Sequence, residues 1–440
     1  MDRIEQRILD ILDQNAATLI NDGQTLYRTA ELGFAEFQTA RVTAEKLRGM
    51  GLAVREGLAV TGVKAMIGKN SGPTVAVIGE LDGIMCPEHP CAVPGTGMSH
   101  ACGHNAQMTA MLGAALALSD PEVAASLGGR VAIFAVPAEE YLAENIRTPL
   151  KNEGKIRYFS GKSELVRLGE FDDIDLCLTT HAHMVGNADS DILLGSNSVS
   201  GFIGKTVTFK GKAAHAAAAP HEGINALNAA ALSLSAIGML RETFQEKDYI
   251  RIHPVVRGDG GAVNVVPQEA VLDMMVRAKT MAAIAGASSK ADSAFRGAAL
   301  ALGAEVTIRD AQGYMPVIER EGDKVLFDAA AVLGNAVSVK GITPGVQNAA
   351  STDVGDLTHL MPVLNFTFGG CKGALHSRDF AVTDEELFYV IPAKLLALAT
   401  YRLLRDGAAE AGEILNGFTP TLSREEYLRQ MEALHTQESR

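Results

Sequence analysis

Three short apolar runs in this chain each end at residues that can bind a divalent metal ion, and a fourth such group precedes a helix-forming stretch. Continuous apolar runs with β-branched residues are typical of the buried strands of a parallel sheet. Such sheets bind ligands beyond the carboxyl ends of their strands. We therefore predict a metal site at one edge of a sheet, because thiolate, imidazole and carboxylate groups would converge there. The runs are residues 74–81 before Asp82, 130–136 before Glu139 and Glu140, and 175–180 before His181, and the helix follows residues 99–105.

The composition is that of an ordinary globular chain with enough apolar residues for more than one core. Its 440 residues, 47% of them apolar, allow roughly two to four domains. The formal charge of -13 argues against nucleic acid or an anionic membrane as a partner, because both require a basic face. Five cysteines, the lack of a signal-peptide pattern and the lack of a membrane-spanning apolar run favour a cytoplasmic location.

The spacing of apolar residues predicts an α/β domain that includes both ends of the chain. Helical and strand-like stretches alternate through residues 1–197, which is typical of helices layered on a sheet. The same pattern returns after about residue 311, with a strand over 363–368 and a long helix over 384–405. Pro392 should kink that helix, because it removes a backbone hydrogen bond. The other predicted helices cover residues 5–31, 39–50 and 106–119.

The middle of the chain predicts a different domain. Strand, helix, strand, strand, helix and strand follow one another between residues 205 and 309, which is the order of the ferredoxin-like unit. We therefore expect an α/β, mixed-sheet catalytic domain of residues 1–197 and 312–440, with an inserted ferredoxin-like α+β domain of residues 198–311. The elements of the insertion are strands over 205–210, 249–257, 270–279 and 305–309 and helices over 223–242 and 288–302.

Two pairs of residues carry the chemistry of the predicted metal site. Cys102 and His104 lie where the chain enters a helix, whose N-terminus favours the thiolate over the thiol. Glu139 and Glu140 directly follow a buried strand, where neighbouring carboxylates would repel each other unless a cation neutralised them. One carboxylate of such a pair can bind a metal while the other acts as a general base. Taken alone, each pair also fits a simpler interpretation, a packed cysteine or a solvated helix start.

Further histidines are candidate ligands at the same edge. His181 ends its apolar run and His183 lies close behind it, so either could bind a metal, and the position at the strand end favours His181. His376 follows the strand over 363–368 and would approach the same edge. The alternative for each of these side chains is an ordinary surface histidine.

Together these residues resemble peptidase family M-twenty, in the amidohydrolase branch of aminoacylases, auxin-conjugate hydrolases and aminobenzoyl-glutamate hydrolases. The resemblance runs in order through nearly the whole chain, and its motifs are specific jointly rather than singly. It implies a zinc-peptidase-like catalytic domain with a lid domain through which subunits dimerise. The matching motifs lie at residues 30–34, 80–82, 100–105, 137–140, 181, 211–216, 264–267, 351–353 and 376–377.

The resemblance also implies a role for each candidate site residue. Glu139 would be the catalytic base, Asp82 would support the metal ligands from behind, and His215 of the inserted domain would stabilise the oxyanion. Asn264 and Arg277 lie where relatives hold the substrate carboxylate, although Arg277 also fits an ordinary surface position. Two divalent ions would be bound per subunit, zinc on the softness of the thiolate or manganese, with cobalt and nickel as alternatives. The implied metal ligands are Cys102, His104, Glu140, His181 and His376.

Several features depart from the family pattern. Asn105 replaces the usual aspartate, as in relatives nearer the aminobenzoyl-glutamate hydrolases. Residues 83–98 are longer than expected, and their Cys86, His89 and Cys91 would form either a second zinc site or, as we favour, part of a rim loop. Residues 144–169 are also extended, and their basic side chains would either attract anionic substrates or, as we favour, form a solvated face. Those side chains are Arg147, Lys151, Lys155, Arg157 and Lys162.

We therefore predict a metal-dependent hydrolase of linear amides, acting on N-acyl or aminobenzoyl amino acids or on small peptides. A water that bridges the two ions would attack the scissile carbonyl, and Glu139 would take its proton. Two alternatives stay open: a dipeptidase or carboxypeptidase, and a catalytically silent metal-binding partner subunit. The expected partner is a small-molecule amide with a carboxylate, with no nucleic acid and no membrane, and the resemblance implies a homodimer.

Overall fold

The computed structural model describes residues 1–68, 71–142, 144–183, 190–257, 261–434 and 437–439. The chain divides into two compact units, each described separately below. Unit 1 comprises Met1–Asn197, Ile318–Gly345 and Asp356–Thr421, and unit 2 comprises Ser198–Val317, Val346–Gly355 and Leu422–Arg440. The proposed inserted domain of residues 198–311 lies within unit 2, which also takes in two later segments.

The described residues form helices and strands in the following order. The helices are α1 Arg3–Gln14, α2 Ala16–Tyr27, α3 Phe37–Gly49, α4 His104–Leu118, α5 Pro121–Ala125, α6 Glu144–Asn152, α7 Gly161–Leu168, α8 Ala226–Leu240, α9 Met281–Leu302, α10 Lys324–Val332, α11 Val354–Thr358, α12 Ile391–Leu404, α13 Ala409–Asn416 and α14 Arg424–Ala433. The strands are β1 Val54–Leu58, β2 Gly62–Gly68, β3 Thr74–Glu80, β4 Ile84–Met85, β5 Met98–Ser99, β6 Arg130–Val136, β7 Leu176–Ala182, β8 Ile192–Ser196, β9 Ser198–Val199, β10 Gly201–Lys210, β11 Arg251–Arg257, β12 Glu269–Ala278, β13 Glu305–Tyr314, β14 Arg320–Glu321, β15 Val339–Gly341, β16 Gln347–Asn348, β17 Val363–Phe368, β18 Cys371–Lys372, β19 Ala381–Val382 and β20 Gln437–Ser439.

Unit 1 is built on a mixed sheet, as the sequence predicts. The strand order is β1-β2-β6-β3-β7-β17-β8-β14, and β15 pairs with β8. The four central strands β6, β3, β7 and β17 are parallel, while β2 is antiparallel to β6 and β8 is antiparallel to β17. β3 and β6 are buried along nearly their whole length, which explains their continuous apolar runs. The carboxyl ends of the four parallel strands therefore meet at one edge, called the carboxyl edge below.

Two apolar helices, α4 and α12, form the centre of the helical layer. Nearly all of α4 is buried, in keeping with its alanine, methionine and leucine content, and it packs against β3 and α12. All of α12 is buried as well. Among the described residues, the helical stretch Glu386–Leu404 is the one long and apolar enough to cross a bilayer, and 94% of it is buried in the fold. A helix that is apolar on all sides is typical of a protein core.

Two predicted helices are interrupted for identifiable reasons. The stretch 5–31 forms α1 and α2, because the Asn15 side chain donates to the Ile11 carbonyl oxygen at 2.8 Å and competes with the backbone hydrogen bonds. The final helix begins with a π-helical turn, Glu386–Val390, just before Pro392. Since proline has no N–H to donate, the irregularity predicted at Pro392 takes the form of this wider turn.

Unit 2 contains the predicted ferredoxin-like arrangement. β10, α8, β11, β12, α9 and β13 follow one another along the chain, and the sheet order is β11-β12-β10-β13-β20 with antiparallel neighbours. α8 and α9 pack on this sheet around a core that includes Phe209 and Phe295. α9 begins earlier than predicted, at Met281, because the Thr280 side chain accepts the Ala283 N–H and caps the helix.

Candidate metal centre

The carboxyl edge of the unit 1 sheet brings together the predicted ligands and the predicted base. His376 reaches this edge from the loop after β18, where its backbone N–H donates to the Ala101 carbonyl oxygen at 2.8 Å. That bond joins the loop to the turn that contains Cys102. The remaining residues of the edge are Asp82 after β3, Glu139 and Glu140 after β6, His181 in β7 and His104 at the start of α4.

Two groups of potential metal ligands share the sulfur of Cys102. Its Sγ lies 3.4 Å from Nε2 of His181 and 3.2 Å from Nε2 of His376. The same His376 nitrogen lies 3.1 Å from Oε1 of Glu140. One group is Cys102, His104 and His181, the other is Cys102, Glu140 and His376, and within each group the ligand atoms all lie within 4.8 Å of one another. The five predicted ligands therefore form two overlapping sets, which fits a pair of ions on either side of the sulfur.

Two buried atoms of these groups face other potential ligands. Nε2 of His104 lies 3.2 Å from Oε2 of Glu80, and Oε1 of Glu140 lies 3.1 Å from Nε2 of His376, but in the described part of the chain neither atom has a hydrogen-bond partner of good geometry. A divalent ion between such atoms would satisfy both of them. Sulfur, imidazole nitrogen and carboxylate oxygen are also the donor types of protein zinc and related transition-metal sites. The donor set and the close approach of these atoms both fit divalent ions.

The protonation state of Cys102 gives a further reason to expect a cation. Burial raises the pKa of the Cys102 thiol well above its ordinary value, and the charge of Glu140 raises it further. The predicted effect of the helix N-terminus on this thiol is therefore outweighed. A buried thiol beside a carboxylate releases its proton only when a cation compensates the new charge. Metal binding should accordingly be accompanied by release of this proton.

Asp82 contacts one residue of each ligand group that contains Cys102: His104 of the first and Glu140 of the second. Nδ1 of His104 lies 2.9 Å from the backbone oxygen of Asp82 and 3.3 Å from its Oδ1, so Nδ1 carries the ring proton and Nε2 has the lone pair. The other carboxylate oxygen, Oδ2, accepts the backbone N–H of Glu140 at 2.9 Å. This geometry supports the proposed role of Asp82 as a residue that orients ligands without being one itself.

The turn before Glu139 is constrained on both sides. Ala138 has a φ of 48°, which a non-glycine residue seldom adopts. The buried Glu36 accepts the Ala138 N–H at 2.8 Å and the Thr61 hydroxyl at 2.6 Å. On the other side, the Gly161 N–H donates to the Ala138 carbonyl oxygen at 3.0 Å. A Cβ at Gly161 would lie 1.6 Å from the neighbouring backbone, so only glycine allows this approach. These contacts hold the backbone that directs Glu139.

Replacing Glu36 by alanine should lower turnover while leaving metal binding largely intact. The Ala138 N–H would lose its acceptor, and the turn would relax and displace Glu139, where a shift of about 1 Å can lower the rate roughly 10²-fold. Burial and the charge of Asp82 raise the pKa of Glu36, which favours its neutral form, so the neutral Glu36→Gln should retain most activity. The measurements are kcat and metal content for both variants. Loss of metal in parallel with activity would contradict this role.

Glu80 and Lys162 also lie at this edge, although Glu80 was not predicted as a site residue and Lys162 was predicted to belong to a solvated face. The fully buried Nζ of Lys162 lies 2.5 Å from Oε1 of Glu80, and Oε2 of Glu80 lies 3.2 Å from Nε2 of His104. Burial opposes ionisation of Glu80, but the Lys162 ammonium lowers its pKa below the ordinary value. Glu80, His104 and Glu139 form a third group of close ligand atoms. Because Glu80 lies at the end of an apolar run, its sequence position could have indicated a site residue. No local sequence pattern links it to Lys162, which follows 82 residues later.

Contacts within the rim loop favour one of the interpretations left open for residues 83–98. Nε2 of His89 lies 2.8 Å from the Phe380 carbonyl oxygen, and its Nδ1 accepts the Cys91 N–H at 3.1 Å. With both ring nitrogens engaged, His89 ties the loop to the rest of unit 1 and is poorly placed to bind zinc. His183 contacts the Thr367 hydroxyl at 3.2 Å and, within the described residues, belongs to none of the ligand groups, which leaves His181 as the ligand candidate of β7.

The basic residues of the segment 144–169 do not form a single solvated face. Lys155 and Arg157 are exposed, as that interpretation predicts. Arg147 is only 5% exposed and Lys162 is fully buried. The prediction of a solvated face is therefore wrong for these two side chains, because α6 and α7 fold them into unit 1 instead of leaving them on its surface.

The remaining candidate residues lie in unit 2. His215 and Asn264 are exposed and adjacent in the fold, since His215 bridges Val265 and the Ala216 N–H donates to the Asn264 oxygen. Arg277 lies in β12 with its guanidinium 5.6 Å from the centre of the Phe202 ring. Burial lowers the pKa of Arg277 below its ordinary value.

Comparison with known proteins identifies similar sequences. Residues 197–300 match the family model described as a peptidase dimerisation domain. The chain is 30% identical to the human Xaa-Arg dipeptidase over 324 residues, which cover 70% of this chain and 66% of that protein. It is 29% identical to a p-aminobenzoyl-glutamate hydrolase chain of Escherichia coli K12 over 412 residues, covering 90% of this chain and 77% of the relative.

The fold is also that of solved structures. A dinuclear metal-binding peptidase of family M-twenty from Bacillus subtilis superposes with a TM-score of 0.64 at 21% identity, covering 88% of this chain and 98% of the other. At that identity the similarity establishes a shared architecture.

Proposed function

The chain belongs to the M-twenty family of metallopeptidases and is a hydrolase, and we propose that it cleaves the amide bond of an N-acyl or aminobenzoyl amino acid. The observation that carries the proposal is the pair of ligand groups that share Cys102, with Glu139 next to them and outside both. One residue thus remains to move protons while five others can bind ions.

The chain's own residues account for the proton transfers. Two ions held by Cys102, His104, Glu140, His181 and His376 would supply a water made nucleophilic near pH 7 and would polarise the scissile carbonyl. Glu139 would accept the proton of that water and then donate it to the departing amine. Its side chain is 8% exposed, so little bulk water competes for the proton. A positioned carboxylate in this role accelerates such reactions roughly 10²–10⁴-fold.

His215 is proposed as the donor that stabilises the oxyanion. Its Nδ1 accepts the backbone N–H groups of Ala217 at 3.2 Å and Ala218 at 3.1 Å. In the neutral ring the proton is then on Nε2, which is left to donate to a developing negative charge. Asn264 and Arg277 are proposed to hold the substrate carboxylate. The contacts of the Arg277 guanidinium are with the Phe202 ring and the Met275 sulfur, which are both uncharged.

The similarity to the human Xaa-Arg dipeptidase favours a dipeptidase as the second candidate function. The two functions differ in whether the site accepts a free α-amine. A third, the silent subunit, would require a ligand or the base to be lost or displaced, whereas five ligands and Glu139 lie together.

A substrate panel distinguishes these functions. The purified protein, loaded separately with zinc, manganese, cobalt or nickel, would be assayed with N-acetyl amino acids, p-aminobenzoyl-glutamate and dipeptides including Xaa-Arg. A Glu139→Gln preparation made in the same way controls for contaminating hydrolases. We expect acyl or aminobenzoyl substrates to be cleaved faster than dipeptides. Faster dipeptide cleavage would favour the second function, and inertness towards every substrate with every metal would contradict hydrolysis.

Metal identity, assembly and location complete the proposal. The thiolate favours zinc or a similarly soft ion over manganese.

A homodimer formed through unit 2 is supported by the match to the dimerisation domain and by the exposed side chains of the edge strand β11, including Val255 and Val256. A cytoplasmic location is supported by the five free thiols at Cys86, Cys91, Cys102, Cys177 and Cys371.

A further inference from the structure

Arg147 is a buried cation for which the described residues offer no carboxylate partner. It lies in α6 and is 5% exposed. Within the described part of the chain it forms no ion pair, and its single hydrogen bond runs from Nη1 to the Leu142 carbonyl oxygen at 3.3 Å. Its buried Nε has no hydrogen-bond partner. An uncompensated buried charge is costly, so such a group usually marks a place where a charged ligand completes the site.

Two aromatic rings fix the position of this guanidinium. Its central carbon lies 4.3 Å from the centre of the Tyr141 ring and 4.8 Å from that of Phe159. An aromatic ring close to a guanidinium uses none of its five N–H groups in a conventional hydrogen bond. The Nε–H of Arg147 has no partner among the described residues, so donors remain for a carboxylate, which an arginine binds with two parallel hydrogen bonds.

The location relates this cation to the reaction centre. Tyr141, whose ring contacts the guanidinium, directly follows Glu140 of the second ligand group. Leu142, which accepts the Arg147 hydrogen bond, comes next in the chain. Two acids of the same segment whose side chains are described are already engaged. Glu164 accepts the Tyr158 N–H and pairs with Arg167, and Glu153 pairs with Lys155.

We propose that Arg147 binds a second carboxylate of the substrate, so that the preferred substrates are amides with two carboxylates. This inference rests on the proposed function and narrows its substrate class. The second carboxylate belongs either to the amino-acid half, as in an N-acyl glutamate, or to the acyl half, as in an N-succinyl amino acid. The first carboxylate is the one proposed for Asn264 and Arg277.

Matched substrate pairs test the inference. N-acetylglutamate would be compared with N-acetylglutamine, and N-succinylalanine with N-butyrylalanine, using the metal-loaded full-length protein. We expect wild-type kcat/KM to be about 30-fold or more higher for the acidic member of at least one pair, the ratio that loss of a desolvated charge pair typically changes. The pair that shows the preference identifies which half carries the second carboxylate.

Variants at position 147 show whether that preference depends on the guanidinium. Arg147→Gln should abolish the preference by raising KM for the acidic member, with little change for the neutral one. Arg147→Lys should restore part of it, because the charge is kept and the planar fork is lost. Lys155→Gln, which removes an exposed charge of the same segment, is the control and should leave the ratio unchanged.

The outcomes separate this inference from the proposed function. A wild-type enzyme that cleaves both members of each pair equally would overturn the inference and leave amide hydrolysis standing. An equal fall for acidic and neutral members in Arg147→Gln would assign the residue a structural role and also overturn it. If Arg147→Gln fails to fold, the wild-type ratio and Arg147→Lys still decide.

Discussion

Glu139→Gln should lose nearly all hydrolysis while binding as much metal as the wild-type protein. The amide cannot accept the proton of the attacking water, so kcat should fall roughly 10²–10⁴-fold, the usual contribution of general acid–base catalysis. Metal binding should persist, because Glu139 lies outside both ligand groups that contain Cys102. The measurements are kcat on the best substrate and metal content by elemental analysis.

A matched control for that variant is Glu88→Gln, which changes an exposed carboxylate of the rim loop. It should keep wild-type turnover and metal content. Near wild-type turnover by Glu139→Gln would show that another group moves the proton. Loss of metal by that variant would instead make Glu139 a ligand, with Glu80 and His104 as the nearest partners.

Cys102→Ala should lose both ions, whereas His181→Ala and His376→Ala should each lose one. The sulfur of Cys102 belongs to both ligand groups, and each histidine belongs to one of them. We therefore expect metal content per subunit to fall from about two to near zero in Cys102→Ala and to about one in the histidine variants, with activity lost in all three. Elemental analysis after dialysis measures this.

Circular dichroism of the three variants controls for unfolding, since a large loss of metal in a misfolded protein would carry no information. Cys177→Ala is the matched control, because Cys177 is also buried but lies in β7 outside the ligand groups. Equal metal loss in the Cys102 and His376 variants would mean that the two groups bind a single ion between them.

The sequence predicts the architecture around the site well where local patterns suffice. The apolar runs that become β3, β6 and β7 end beside Asp82, Glu140 and His181, and parallel strands necessarily bring such ends together. The alternation of strands and helices in the middle of the chain likewise predicts the ferredoxin-like sheet order. Both inferences depend on periodicity, which a single sequence displays.

Contacts between distant segments were not predictable in the same way. Glu36 supports the turn before Glu139 from about a hundred residues away, and Lys162 neutralises Glu80 across a similar separation. Arg147 was predicted to belong to a solvated face, yet α6 buries it beside two rings. Asn105 is explained only by its partners: it donates to Tyr389 and to the Gly23 carbonyl oxygen, which an ionised aspartate cannot do.

Anomalous diffraction from crystals grown with zinc, recorded on both sides of the zinc absorption edge, tests the central claim most directly. We expect two peaks per subunit, roughly 3.5–4 Å apart, with Cys102 Sγ between them. One peak should lie near His104 and His181 and the other near Glu140 and His376. A single peak, or peaks that do not share Cys102, would contradict this claim.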